Sequence, residues 1–214
     1  MSILLYIVRH GQTVDNLQGR IQGHTDSPLT ELGIRQAKAA AHRLSRERLD
    51  CIYSSDLNRA LSTAQIIAQS QRSECPIIPD SRLRELNLGV AQGLTREQYA
   101  ELRPEEYALW RQDSIKNRPQ GAERIEQAID RCADFLDYIA KHYQNEANLG
   151  IVAHGGSIKS LLLSALQLPI HCYRRLATAN AGLTILELST QPLLRLFNDT
   201  CHLREVTELD VDTG

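Results

Sequence analysis

The stretch Ile3-Leu4-Leu5-Tyr6-Ile7-Val8-Arg9-His10-Gly11 decides the fold. Residues 3–8 are a continuous apolar run rich in branched side chains, the pattern of a strand covered on both faces. The run breaks directly into a cation, an imidazole and a glycine. The same arrangement returns in Leu149-Gly150-Ile151-Val152-Ala153-His154-Gly155-Gly156. In open α/β sheets, sites form beyond the carboxyl ends of the strands. Two histidines delivered by two such strands are therefore expected to face one crevice. A glycine beside each allows close backbone approach. Taken singly, either histidine also reads as a strand end satisfied by backbone.

Working outward, strands and helices alternate. A polar loop covers 11–28. Thr30 is placed to cap a helix carrying Ala37, Ala40, Ala41 and Leu44. Residues 50–55 read as a short strand and turn. Asp56 is placed to cap a helix with Leu57, Ala60, Leu61, Ala64 and Ile67 at helical spacing. Residues 76–79 give a third short strand. Ile125, Ala128, Cys132, Leu136 and Ile139 mark one face of a long amphipathic helix ending near Tyr143, and 157–168 predict another helix. Residues 183–188 and 193–197 predict a closing strand pair. This order predicts an α/β three-layer sandwich, a mostly parallel central sheet with helices on both faces. The polar segment 94–122, anchored by Tyr99, Leu102, Tyr107 and Trp110, reads as a small helical cap inserted into a single domain spanning 1–214. The acidic end, from Glu205 onward, reads as a disordered tail or an arm against a partner subunit.

With 24 basic and 26 acidic residues, the formal charge is −2, which argues against nucleic acid or an anionic membrane as a partner recognised by bulk charge. An anionic substrate then needs positive charge concentrated locally. Five scattered cysteines without a close pair fit neither a disulfide framework nor a zinc site, and point to a reduced, cytoplasmic setting. The first apolar run is too short for a signal segment or a membrane span.

A phosphate monoester dianion needs fixed cations and N–H donors, because desolvating it otherwise is costly. Arg9 sits beside His10, and Arg59 lies at the start of a helix, where free N–H groups favour anions. Neutral imidazole is a competent nucleophile once its second nitrogen is held. The leaving alkoxide needs a proton. Glu85, in Arg84-Glu85-Leu86-Asn87-Leu88-Gly89, is a candidate acid; in isolation it also reads as a solvated loop glutamate.

Arg9-His10-Gly11-Gln12-Thr13 with Asn16 closely resembles the signature of the histidine phosphatase, or phosphoglycerate mutase-like, superfamily. The resemblance continues in order through Leu29-Thr30-Glu31-Leu32-Gly33, Tyr53-Ser54-Ser55-Asp56-Leu57-Asn58-Arg59-Ala60, Arg84-Glu85-Leu86 and Val152-Ala153-His154-Gly155-Gly156. It implies His10 as phosphoryl acceptor, and Arg9, Arg59 and His154 as a phosphate pocket. It makes Asn16 an added donor, and Glu85 the acid that later activates water. Gly155 approaches the pocket through backbone, and Gln22 and Gly23 line its rim. Double displacement through phosphohistidine needs no metal and no cofactor.

The short, mixed-charge middle segment looks phosphatase-like rather than mutase-like, although Gly121-Ala122-Glu123 stands where relatives often have Gly-Glu-Ser. Asn198-Asp199-Thr200-Cys201-His202-Leu203 resembles the C-terminal stretch of metal-independent phosphoserine phosphatases. That resemblance implies that His202 binds the substrate carboxylate; the plain alternative is a surface histidine. Leu88 departs from it, since some of those enzymes carry a histidine there. The expected partner is thus a small phosphorylated metabolite, phosphoserine before others, acted on by a homodimer. The alternatives are a phosphoglycerate mutase, an α-ribazole phosphatase, a broad sugar-phosphate phosphatase and a catalytically silent phosphate-binding protein.

Overall fold

The computed structural model describes residues 2–143 and 145–208. Six strands, β1 (Ile3–Arg9), β2 (Cys51–Ser54), β3 (Ile77–Pro79), β4 (Ala147–Ala153), β5 (Leu183–Leu188) and β6 (Leu193–Asp199), form one sheet in the order β3-β2-β4-β1-β5-β6. The first four of that order run parallel, whereas β5 lies antiparallel to β1, and β6 to β5. The predicted α/β class, with a mostly parallel central sheet, is the observed one.

Alternation along β1 explains the layers. Leu5 and Ile7 join Phe135, Ile139, Leu161 and Leu162 in one buried cluster, under α6 (Ile125–His142) and α7 (Gly155–Ala165). Tyr6 and Val8 join Ala40, Leu44, Ala60 and Ala64 in the other, under α2 (Glu31–Leu44) and α3 (Asn58–Gln69). The sheet is thereby covered on both faces, which is why its central strands read as unbroken apolar runs.

Local chemistry sets most boundaries. The Thr30 hydroxyl accepts the Gly33 N–H and caps α2 as expected, a contact that contributes about 1 kcal/mol. Asp56 does not cap α3. Its carboxylate is taken by Arg84 in a two-point pair, Nε to Oδ1 at 2.7 Å and Nη2 to Oδ2 at 2.6 Å, and Leu57 holds the cap position without a side-chain bond. α7 begins two residues before the predicted Ser157, because the Ser157 hydroxyl accepts the His154 N–H at 3.0 Å and closes the first turn over Gly155 and Gly156. It stops at Ala165, short of the predicted 168, where Gln167 turns left-handed with φ 51°. The loop at 11–28 contains one unpredicted turn, α1 (Val14–Leu17), capped reciprocally by Thr13 and Asn16.

Within residues 94–122 lie α4 (Arg96–Leu102) and α5 (Pro104–Gln112). Tyr99 is buried there against Tyr107 and Trp110, with ring centroids 5.7 and 5.8 Å away. Leu102 is not an anchor, being 67% exposed. After β6 the chain turns through Cys201–Leu203 into α8 (Arg204–Glu208). The remainder of the acidic end, residues 209–214, lies outside the described residues. Among the described residues, no helix is long and apolar enough to cross a membrane.

Candidate active site

The register of β1 on β4 brings the two histidines together. Arg9 lies level with Ala153 in the parallel ladder, so His10 and His154 leave the sheet side by side. Their ring centroids are 5.0 Å apart. β2 pairs with β4 as far as Ser54 against Val152, which delivers Ser55 and the start of α3, with Arg59, to the same end.

His10 is almost fully buried, and its Nδ1 lies 2.7 Å from the Gly11 carbonyl oxygen. A carbonyl only accepts, so Nδ1 carries the ring hydrogen and Nε2 keeps its lone pair. Burial, then the charges of Arg9 and Arg59, hold the ring's pKa well below the usual imidazole value. The neutral form that a nucleophile requires is therefore the resting form.

His154 is also buried, and its pKa too lies well below the usual imidazole value, first through burial and then through His10, Arg59 and Arg9. Its Nδ1 accepts from Arg59 Nε at 3.1 Å, which leaves Nε2–H to donate to the Ser55 hydroxyl at 2.8 Å. Arg59 also donates from Nη1 to the Thr25 carbonyl at 2.7 Å and from Nη2 to the Gly23 carbonyl at 2.6 Å. This buried fork thus ties the loop after β1 to the second histidine.

A cavity of about 760 Å3 opens beside these groups, lined by Arg9, Asn16, Glu85 and Gly155 among others. Arg9 donates from Nη1 to the Thr178 carbonyl at 2.8 Å, and its Nε is buried with no partner, a donor left for a ligand. Glu85 follows the turn after β3. Its Oε1 accepts the Leu86 N–H at 2.8 Å and its Oε2 the Gly156 N–H at 3.1 Å, so the first turn of α7 holds the carboxylate. A Cβ at Gly156 would stand 2.2 Å from Glu85 Oε1, so any side chain there would have to displace the carboxylate.

Of the ten residues singled out from sequence, His10, Arg9, Arg59, His154, Glu85, Asn16 and Gly155 gather at this end of the sheet. Gly23 is near but acts through its carbonyl on Arg59 rather than as a rim, and Gln22 is buried without lining the cavity. His202 is not there. Its Nε2 donates to the Ala181 carbonyl at 3.0 Å, and its ring lines a separate groove with Arg35, Lys38 and His42 of α2. The segment after β6 turns back against α2, which carries His202 away from the cavity.

Sequence reasoning missed the strap before β5. Asn180 Nδ2 donates to the His10 carbonyl at 3.0 Å and to Asn16 Oδ1 at 3.2 Å, while Ala181 N–H donates to the Arg9 carbonyl at 2.9 Å. Small residues in Ala177-Thr178-Ala179-Asn180-Ala181-Gly182 were the available signal for close backbone approach. It also missed Lys159, Arg96 and Trp110 on the cavity wall; Lys159 follows Gly155 by four, so helical spacing alone puts both on one face. Among the described residues no group of three or more His, Cys, Asp or Glu side chains is arranged to hold a metal ion.

Comparison with known proteins identifies the family. The model of the histidine phosphatase superfamily (branch 1) matches residues 5–200. A protein of Proteus mirabilis named "Probable phosphoglycerate mutase GpmB" is 34% identical over 219 residues, covering 94% of this chain and 95% of that one. A mycobacterial glucosyl-3-phosphoglycerate phosphatase, solved with VO3, superposes with a TM-score of 0.81 at 33% identity, over 92% of this chain and 99% of its own. Phosphoserine phosphatase of Entamoeba histolytica, solved as a point mutant in complex with phosphoserine, gives a TM-score of 0.80 at 32% identity, over 94% and 99%.

Proposed function

The chain belongs to the histidine phosphatase superfamily, branch 1, and from that premise we propose that it is a metal-independent phosphomonoesterase that favours O-phospho-L-serine. The observation carrying the reading is a buried imidazole, fixed in one tautomer by the Gly11 carbonyl, standing 5.0 Å from a second histidine beside a cavity lined by Arg9 and Glu85.

In the first half-reaction His10 Nε2 attacks phosphorus, the bond from phosphorus to the ester oxygen breaks, and the Glu85 carboxyl gives its proton to the leaving alcohol. In the second, the Glu85 carboxylate takes a proton from water, the hydroxyl oxygen bonds to phosphorus, and the phosphorus–nitrogen bond breaks. Arg9 and Arg59 supply pre-placed positive charge for the oxygens of the moving phosphoryl group. His154 orients Arg59, and Asn16 and Gly155 complete the wall. Residues 94–122 act as a cap, since Arg96, Glu97 and Trp110 line the same cavity. The same reading makes the protein a cytoplasmic homodimer at the last step of serine synthesis.

The Entamoeba and mycobacterial structures support hydrolysis. The name of the Proteus relative favours a second reading, a mutase that returns the phosphoryl group to a phosphoglycerate. Phosphate release from a panel of phosphorylated metabolites, assayed with EDTA present, separates them. Phosphoserine should release phosphate fastest and EDTA should change nothing. A strict magnesium requirement would overturn the mechanism, and bisphosphoglycerate-dependent interconversion of phosphoglycerates without phosphate release would establish the mutase.

A further inference from the structure

Three cations on the cavity wall, Arg20, Arg96 and Lys159, are not among the groups assigned to the phosphoryl unit. The cavity walls include Arg9, Arg20, Arg96 and Lys159 against Glu85 and Glu97. Arg20 is committed to the protein, through Nη1 to the Gly93 carbonyl at 2.8 Å and Nε to Gln18 Oε1 at 2.8 Å. Lys159 is not. Its side chain is half-buried, its ammonium lies 5.2 Å from the Tyr173 ring centroid, and among the described residues it makes no hydrogen bond or direct ion pair. A partly buried ammonium without a directly bonded anion is unfavourable, and burial pushes its pKa down while the charge of Glu85 pulls it back up.

Its placement says which part of a substrate it meets. Lys159 stands one turn along α7 from Gly155 and Gly156, on the same face. Long helical side chains lean toward the helix N-terminus, which here is the turn that holds Glu85 and lies against Arg9. Glu85 is the group that protonates the leaving oxygen, so a cation beside it faces the alcohol portion and not the phosphoryl portion. A second donor waits on the wall formed by α5: Trp110 Nε1 is buried and without a partner. An ammonium and an indole N–H that line one cavity, neither hydrogen-bonded to the protein, are both donor types from which a carboxylate accepts.

We infer that Lys159, assisted by the Trp110 indole N–H, is the specificity site for a carboxylate on the leaving alcohol, so that the preferred substrates are phosphomonoesters of hydroxy acids and hydroxyamino acids rather than of sugars or neutral alcohols. This rests on the phosphatase reading above and replaces His202, which faces another groove, as the carboxylate partner.

The test compares O-phospho-L-serine with O-phosphoethanolamine, which differ only by the carboxylate, in the wild type, Lys159→Met and Lys159→Arg. The wild type should prefer phosphoserine in kcat/KM by tenfold or more. Lys159→Met should collapse that ratio at least tenfold, through KM, and Lys159→Arg should recover most of it. His202→Ala should leave the ratio where it was. Equal treatment of the two substrates by the wild type, an equal fall on both in Lys159→Met, or a collapse of the ratio in His202→Ala would each overturn the inference while phosphate release upheld the phosphatase. Failure of the wild type to hydrolyse either of them or p-nitrophenyl phosphate would overturn both.

Discussion

Arg59 does the most with one side chain. Its position at the start of a helix was visible in sequence, and so was its charge, but not the three acceptors that surround it. Those are two loop carbonyls and an imidazole nitrogen, on segments far apart along the chain. A planar fork meets all three at once, whereas an ammonium on a flexible stem cannot. Arg59→Lys should therefore leave buried acceptors unmet, at a cost of about 1–3 kcal/mol each, and lower kcat/KM by roughly 100-fold or more through lost transition-state charge. Urea denaturation and steady-state kinetics check the two halves; near wild-type values in both would remove Arg59 from the pocket. His202 shows the reverse case. Its neighbours in sequence resemble a binding stretch, yet a side chain's direction depends on how the chain turns after β6, and the turn through Cys201–Leu203 packs it on α2.

At the scale of elements, the apolar strands were legible because burial on both faces leaves no polar alternation to confuse them. The start of α7 was not, since two glycines are poor helix formers in isolation. They are present because the helix must begin against a carboxylate. A methyl group at Gly156 would stand 2.2 Å from Glu85 Oε1 and 2.9 Å from Tyr173 Oη. Gly156→Ala should therefore displace the acid. Its kcat should fall by about 100-fold on alkyl phosphates, where the leaving oxygen needs a proton, and by much less on p-nitrophenyl phosphate, where it does not. Equal losses on the two would mean that Glu85 is not the proton donor. Asp56 was misread for a related reason. A cap residue is also a carboxylate, and Arg84 reached it first, which ties the loop after β2 to the segment bearing Glu85.

Across the whole molecule, the site's requirement for neutral imidazoles is a stability statement. The folded pKa of both His10 and His154 lies well below 6.5, while the unfolded chain titrates near 6.5. Below that pH the unfolded state binds protons that the folded state refuses, so stability falls as pH falls. Each histidine contributes up to ~1.4 kcal/mol per pH unit until its folded pKa is reached. The urea midpoint should drop between pH 7 and pH 5.5, and a flat or rising profile there would contradict the buried, neutral assignment. The three-layer architecture itself was readable from the alternation of strands and helices. The strap from Ala177 to Gly182 was signalled only by its small residues, which allow close approach without saying what is approached; its contacts, through the Asn180 amide and the Thr178 and Ala181 backbone, reach segments far away in sequence.

The most direct measurement is rapid-quench labelling with p-nitrophenyl phosphate that carries radioactive phosphorus, followed by mapping of the labelled peptide. The account predicts acid-labile, base-stable phosphate on His10, absent from a folded His10→Ala variant. Label on any other residue, or turnover that His10→Ala leaves near the wild-type rate, would contradict it.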